Sequence, residues 1–544
     1  MTAEAGFQNR IASGSQRLGR AASRRFRSSR ASPCLLGGPD AARCSRMANS
    51  LAALLLLALL GGCKVGPDYL RPPPVGTNSL PATFSAGTTT AEWKPAEPAA
   101  RLPRGAWWQL FGDAELSRLE TLATANNQDL AAAAARFDQA RALVSVTRAE
   151  LFPQVQLDPS YVRQRTSFNE PQNGVAAGIA PTYNTFTLQL QAGWEVDLWG
   201  RVRRQVESAR ARLTASADDF AGAQLGVQAD LATDYFTLRA LEAEYDLLVR
   251  TVETYQRSLQ LTRNRRKGGI ASDLDVSQAE TQLRTAEAQL PALQLQRARL
   301  LHALAALCGE PATAFALAAD RATPALVPSV PVSLPSELLE RRPDIAAAEQ
   351  RMTAANAEVG VAQSAFYPRI RINGLAGFQS LDASSWFDWP SRFWAVGPSL
   401  QLPLFTGGAN RAQLAFARAA YQETVAGYRQ TVLSAFQEVE DQLAAQRLLA
   451  AQLEAEAAAL AAARRTLEIA DNRYRSGLVT YLEVAVAQSS ALNRELTVVE
   501  LQGQKLTATV GLVRALGGGW EGQVQGPKAE VRSSKAGANQ GRER

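Results

Sequence analysis

"NRRKGGIASDLDVSQAE" (residues 264–280) and "NRYRSGLVTYLEVAVAQ" (residues 472–488) are one pattern written twice, at an offset of 208 residues. Gly269 aligns with Gly477, Ser272 with Thr480, Leu274 with Leu482, Asp275 with Glu483 and Val276 with Val484. Each copy carries the punctuation of a helical hairpin. Glycine readily adopts the left-handed conformation that ends a helix. Ser272 and Thr480 suit N-caps, and the acid three residues beyond each makes a variant of the capping box. A turn recurring at a fixed interval marks an internal duplication.

The flanks repeat as well. "LFP" (151–153) corresponds to "FYP" (366–368), "DLWG" (197–200) to "PLFTGG" (403–408), and "ALAALCG" (303–309) to "LVRALGG" (512–518). Each unit reads helix, strand, strand, long helix, turn, long helix. Repeat 1 is expected over 107–310, with strands near 154–165 and 185–198 and long helices near 202–267 and 272–308. A proline-rich linker follows at 311–335. Repeat 2 spans 336–518, with strands near 369–379 and 393–405 and helices near 409–475 and 480–516. The polar tail at 519–544 has the composition of a disordered segment. Within the longest helices apolar residues recur by sevens, as in Leu231, Leu238, Tyr245, Val252 and Leu259, or Val425, Val432 and Val439. That period predicts coiled-coil packing with a left-handed supercoil.

The strands alternate. In "TFTLQLQAGWEVDL" (185–198), Phe186, Leu188, Leu190, Ala192, Trp194, Val196 and Leu198 share one face, and Thr187, Gln189, Gln191, Glu195 and Asp197 the other. "FWAVGPSLQLPLF" (393–405) repeats this through Trp394, Val396, Leu400, Leu402 and Leu404. A half-buried soluble sheet alternates too, but strands of this length suit a transmembrane barrel. Four strands cannot close, and lipid tolerates no open edge, so such a barrel must be shared between copies of the chain. Trp194, Trp199, Trp386, Trp389 and Trp394 are candidates for membrane interfaces, with core packing the rival for Trp199.

The net charge of +7 is unevenly placed: residues 1–62 hold nine arginines, no lysine, and only Glu4 and Asp40 as acids. The remainder is formally neutral, so the basic balance gives no nucleic-acid signal. This N-terminal segment reads as an export signal, arginine-rich and then apolar over Leu51–Leu60. Leu60-Gly61-Gly62-Cys63 resembles a bacterial lipobox, which makes Cys63 the expected lipidation site. The first 46 residues are either a long n-region or precede a true start at Met47. Cys34 and Cys44 leave with the signal, so Cys308 remains as the single thiol, too few for a disulfide or a metal cluster. The single histidine, His302, lies in a helical stretch, and no phosphate loop or metal-ligand spacing appears. Neither catalysis nor a cofactor is expected.

"GCKVGPDYLRPP" (62–73), "WWQLFGDAELSRL" (107–119), "ASDLDVSQAE" (271–280), "LLERRPDIAAAE" (338–349), "GPSLQLPLFTGG" (397–408) and "EVEDQL" (438–443) recur in this order and spacing in one family. The chain resembles outer-membrane efflux lipoproteins of the TolC/OprM type, NodT-like group, which serve resistance-nodulation-division pumps. The resemblance implies a mainly α fold with a membrane β-barrel portion. Three chains would form one tube, a 12-stranded β-barrel continued by a 12-helix α-barrel through the periplasm. It implies a homotrimer, a periplasmic adaptor (membrane fusion) protein, an inner-membrane pump and outer-membrane lipid as partners, and a passive exit duct for small amphipathic compounds. The adaptor would dock at the tips, through Gly269, Ile270, Ser272, Leu274, Gly477, Leu478, Thr480 and Leu482. Asp273, Asp275, Glu483 and Val486 are candidates for the periplasmic aperture, with capping the competing role for Asp275 and Glu483. The family commonly has a carboxylate one turn beyond the Glu483 position, where this chain has Val486, with Gln278 at the repeat-equivalent place. A secretion duct for protein or polysaccharide and a lipid-anchored coiled-coil scaffold without a pore are the alternatives.

Overall fold

The structure, a computed structural model, describes residues 64–73, 106–167, 182–317 and 341–518. The export segment with Cys63, most of the proline-rich linker and the polar tail lie outside the described residues. The element order is α1 (Ala114–Asn126), α2 (Gln128–Ala149), β1 (Gln154–Arg165), β2 (Thr182–Val196), α3 (Arg201–Lys267) and α4 (Asp273–Leu307). The second series is α5 (Pro343–Ser364), β3 (Arg369–Ser380), β4 (Arg392–Gln401), α6 (Ala409–Arg475) and α7 (Tyr481–Ala515). Helices α3 and α6 are each 67 residues long, and α4 and α7 each 35.

The heptad rows face inward. Leu231, Leu238, Val252 and Leu259 of α3 and Val425, Val432 and Val439 of α6 are buried. Near the strands, α3 packs between α2 and α5, and α5 against α6; near the turns, α3 packs against α4 and α7, and α7 against α6. The helices thus form a layer four across at both levels. A short 3-10 turn, Trp107–Phe111, and helix α1 close over the middle of α3. Phe111 meets Phe236 at 4.7 Å, and Tyr235 donates to the Asp113 carboxylate at 2.7 Å. Asp113 also caps α1, accepting from the backbone N–H of Glu115 and Leu116.

All four strands pair antiparallel in the order β1-β2-β3-β4, so the first hairpin joins the second through β2 and β3. Two ends differ from the alternation. The last strand stops at Gln401 rather than near 405, since Pro403 has no N–H for the ladder. Leu404 and Phe405 therefore project as exposed side chains beyond the sheet. The second strand ends at Val196, where Leu198 N–H turns back to the Val196 carbonyl at 2.8 Å. Pro159 and Pro398 both sit on edge strands, where a missing donor is tolerated.

Candidate functional site: a two-faced sheet and two helical tips

The register assigns every strand residue to a face. Leu157, Leu190, Ala376 and Trp394 are aligned across the four strands, as are Val155, Ala192, Gly374 and Val396. Tyr161, Phe186, Leu188, Phe378, Ile370 and Leu400 fall on this same apolar side. The opposite side carries Gln156, Gln191, Asn373 and Ser399, and, near the helices, Glu195 and Arg371. There Arg201 donates to Glu195 at 2.7 Å and lies 3.6 Å from Glu150, while Arg371 approaches Glu195 at 3.6 Å. A hydrocarbon-like face backs directly onto a charged, hydrogen-bonding one. Among the described residues, the outer edges of β1 and β4 have no partner strand.

Aromatic side chains gather at both ends of the apolar band. At the hairpin end Phe186 meets Trp386 at 5.6 Å, Trp386 stacks on Phe387 at 4.9 Å, and Arg392 lies over the Trp389 ring at 3.6 Å. At the helix end Trp199 lies 4.9 Å from Tyr367 and donates its indole N–H to the Pro368 carbonyl at 2.8 Å. Trp194 donates likewise to Leu151 at 2.9 Å. These tryptophans keep one polar contact while presenting an apolar ring, the behaviour suited to a membrane boundary.

At the far end, Gly269 and Gly477 have φ of 75° and 77°. Ile270 N–H reaches back to the Arg265 carbonyl and Leu478 N–H to that of Arg473, both at 2.9 Å, closing a Schellman turn at each tip. Ser272 and Asp275 form the full capping box of α4. The equivalent pair does not. Thr480 occupies the N-cap position of α7 but its hydroxyl caps nothing. Instead the Tyr481 N–H donates to Asp275 Oδ1 at 3.2 Å, so one carboxylate caps both returning helices. Partial burial by itself would raise the Asp275 carboxyl, but the Ser272 N–H and hydroxyl, the Tyr481 N–H and nearby Arg265 outweigh it and hold it below the usual range.

Within the single chain each of the three candidate aperture acids has a partner. Asp275 is hydrogen-bonded, Asp273 is paired with Arg266, and Glu483 lies 3.8 Å from Arg473. Val486 stays exposed beside Ile469 and Leu482, an apolar surface on the α6–α7 hairpin. Ile270, Leu274 and Leu478 are also exposed. Three residues that the duplication did not single out tie the hairpins together. Tyr481 is 1 % exposed and packs edge-on against Tyr474 at 5.5 Å. Arg265 lies over Tyr474 at 4.7 Å and donates to the Arg475 carbonyl at 2.9 Å. The available signal was a break in the repeat, since Tyr474 and Tyr481 align with Arg266 and Asp273.

In "RRPDI", Pro343 opens α5 and Arg342 bridges the Asp344 and Glu438 carboxylates at 2.7 and 2.6 Å, a structural junction. Among the described residues no helix is long and apolar enough to cross a membrane, and no group of three or more potential ligands could hold a metal.

The sequence profile described as "Outer membrane efflux protein" matches residues 119–310 and 334–518. The chain is similar to a probable efflux pump outer membrane protein, TtgC, of Pseudomonas putida, at 35% identity over 485 residues, covering 88% of this chain and 97% of the relative. It is 33% identical to outer membrane protein OprJ of Pseudomonas aeruginosa, over 87% of this chain and 96% of that one. The solved structure of the outer-membrane channel OprN superposes with a TM-score of 0.76 at 31% identity, covering 84% of this chain and all of the other.

Proposed function

The chain belongs to the outer membrane efflux protein family, and from that premise we propose that three copies close into one continuous conduit across the outer membrane and into the periplasm. It is an outer-membrane exit duct for drug efflux. The observation that carries the trimer is the sheet: one face apolar, the other polar, both edges open. An open edge in lipid leaves backbone groups unsatisfied at several kcal/mol each, so the sheet has to close. Joining β1 of one chain to β4 of the next yields a 12-stranded barrel with a wet lumen, and the helices, four across, continue it as 12. Strands of 12 residues, at about 3.4 Å per residue and tilted by about 45°, span roughly 29 Å, close to the height of a bilayer's apolar band. The 67-residue helices extend about 100 Å beyond it at about 1.5 Å per residue.

Passage is passive, as a wide aqueous lumen supplies no energy. An inner-membrane pump of the resistance-nodulation-division class drives export through a periplasmic adaptor that docks on the tips around Gly269 and Gly477. Relatives named for antibiotic and toluene efflux favour small hydrophobic cargo. Cys63 carries the acyl anchor. Asp275 acts at the periplasmic end by capping α4 and α7, while Val486 supplies an apolar constriction. Reconstitution in planar bilayers tests the duct. Purified trimers should give stepwise conductance, and correctly folded trimers that conduct nothing would leave only the scaffold.

A further inference from the structure

The stretch "KVGPDYLRPP" (64–73) is not spent on the conduit wall, yet it is held closely. It crosses α3 and α5 on one face of the helical layer as an extended strap. Val65 N–H donates to the Trp199 carbonyl at 3.1 Å. Beneath it lies Arg204 of α3, only 1 % exposed, whose guanidinium donates to the carbonyls of Val65 at 3.2 Å and Gly66 at 3.0 Å and meets Asp68 at 3.3 Å. From α5, Asn356 donates to the Pro67 carbonyl at 3.0 Å and Glu349 pairs with Arg71 at 2.9 Å. Gly66, at φ 102°, crosses α5 at Gly360 so closely that a Cβ on Gly66 would lie 2.5 Å from the Gly360 Cα. A Cβ on Gly360 would in turn lie 2.9 Å from the Arg204 guanidinium.

The seat breaks the internal duplication. At the offset of 208, Arg204 aligns with Ala412, and Gly200, which touches Lys64, aligns with Gly408, which has nothing near it. By the "LFP"/"FYP" correspondence, Gly360 and Asn356 of α5 align with Ser145 and Arg141 of α2. The groove between α3 and α5 is thus built for a strap. The repeat-equivalent elements, α6 and α2, lack the arginine, the glycine and the amide. A buried guanidinium whose fork matches two carbonyls and a carboxylate is specific for one backbone path. Its own helix offers only Glu207, at 3.2 Å, so the strap supplies the guanidinium's other acceptors.

We infer that Arg204 is the positioning residue of an anchor seat: it locks residues 64–73 across α3 and α5, staples the first repeat to the second below the barrel, and fixes the height at which the N-terminal anchor leaves the wall. The strap's departure point, Lys64, lies beside Gly200 and Trp199, at the aromatic boundary of the apolar band. The link to acylation rests on the proposed role of Cys63; the seat itself does not.

Trypsin cleavage after Lys64 in purified full-length trimers tests it, followed by the mass of the new N-terminus. Protection reports the population of the released strap. Arg204→Met and Gly66→Val, one on each side of the contact, should each speed cleavage by about tenfold or more, the first by loss of a buried charged hydrogen-bond group and the second because a branched side chain fits neither φ 102° nor the approach to Gly360. Gly66→Val alters only the strap, so it serves where Arg204→Met fails to assemble. A wild-type rate in either assembled variant overturns the seat. An N-terminal fragment of unacylated mass would overturn the Cys63 assignment and leave the comparison of rates intact.

Discussion

Glu120 on α1 is 0 % exposed, and neither of its carboxylate oxygens has a hydrogen-bond partner. Burial pushes its carboxyl up to about 9, so at neutral pH it is held as the uncharged acid. The unfolded chain would ionise it near about pH 4.3. Below that value the group makes no pH-dependent contribution. Between it and the folded value the unfolded chain binds fewer protons, so stability falls by about 1.4 kcal/mol per pH unit and then levels off. Glu120→Gln should remove this slope and raise stability at pH 8 by up to about 5 kcal/mol. Urea midpoints of both proteins at pH 5, 7 and 9 read it directly; parallel pH profiles would assign the slope elsewhere. Nothing in "LSRLETLA" (116–123) separates Glu120 from a solvated helical acid. Its helix packs through Leu116, Leu119 and Ala123 into one cluster with Trp107, Phe111 and Phe236, which come from other parts of the chain.

The strands were legible as elements because a period of two sorts side chains without knowledge of neighbours. Register was not, since it depends on which strands meet. With β2 between β1 and β3, Leu190 has Leu157 on one side and Ala376 on the other, while Gln189 has Asp158 and Gly377. Adjacent residues on one strand should therefore respond oppositely. Leu190→Arg, near the middle of the apolar band, should cost about 2–4 kcal/mol per chain in a bilayer, whereas Gln189→Arg should be tolerated and alter only the lumen charge. Folding yield into lipid vesicles, measured by heat-modified mobility of the trimer, distinguishes them. Equal losses from both would mean that the apolar face is not the lipid face. The strand ends at Gln401 for a local reason that alternation does not report: the apolar pattern runs on through Leu402 and Leu404, while Pro403 lacks the donor that the ladder needs.

For the assembled molecule, the proposed docking of an adaptor on the tips is open to direct test. Gly269→Val and Gly477→Val force a branched side chain into the left-handed region, a local strain of about 1–3 kcal/mol. No other residue lies within 4 Å of a Cβ at Gly269, so the hairpin body is undisturbed. Trimers should still reach the outer membrane while drug resistance in a complemented deletion strain falls by about tenfold, a factor corresponding to about 1.4 kcal/mol of lost docking. Normal resistance from both variants would remove the docking role. Sequence by itself determined the doubled hairpin, the sevenfold rows and the two-faced strands, because each is a short-range pattern that covalent geometry converts into a surface. Tertiary structure decided that Asp275 caps α7 in place of Thr480, that Tyr481 and Arg265 fasten the two tips, and that Arg204 seats the strap. These contacts join residues more than a hundred positions apart, at sites where the two repeats differ. A periodic pattern reports what repeats; only packing shows which departures from it hold the molecule together.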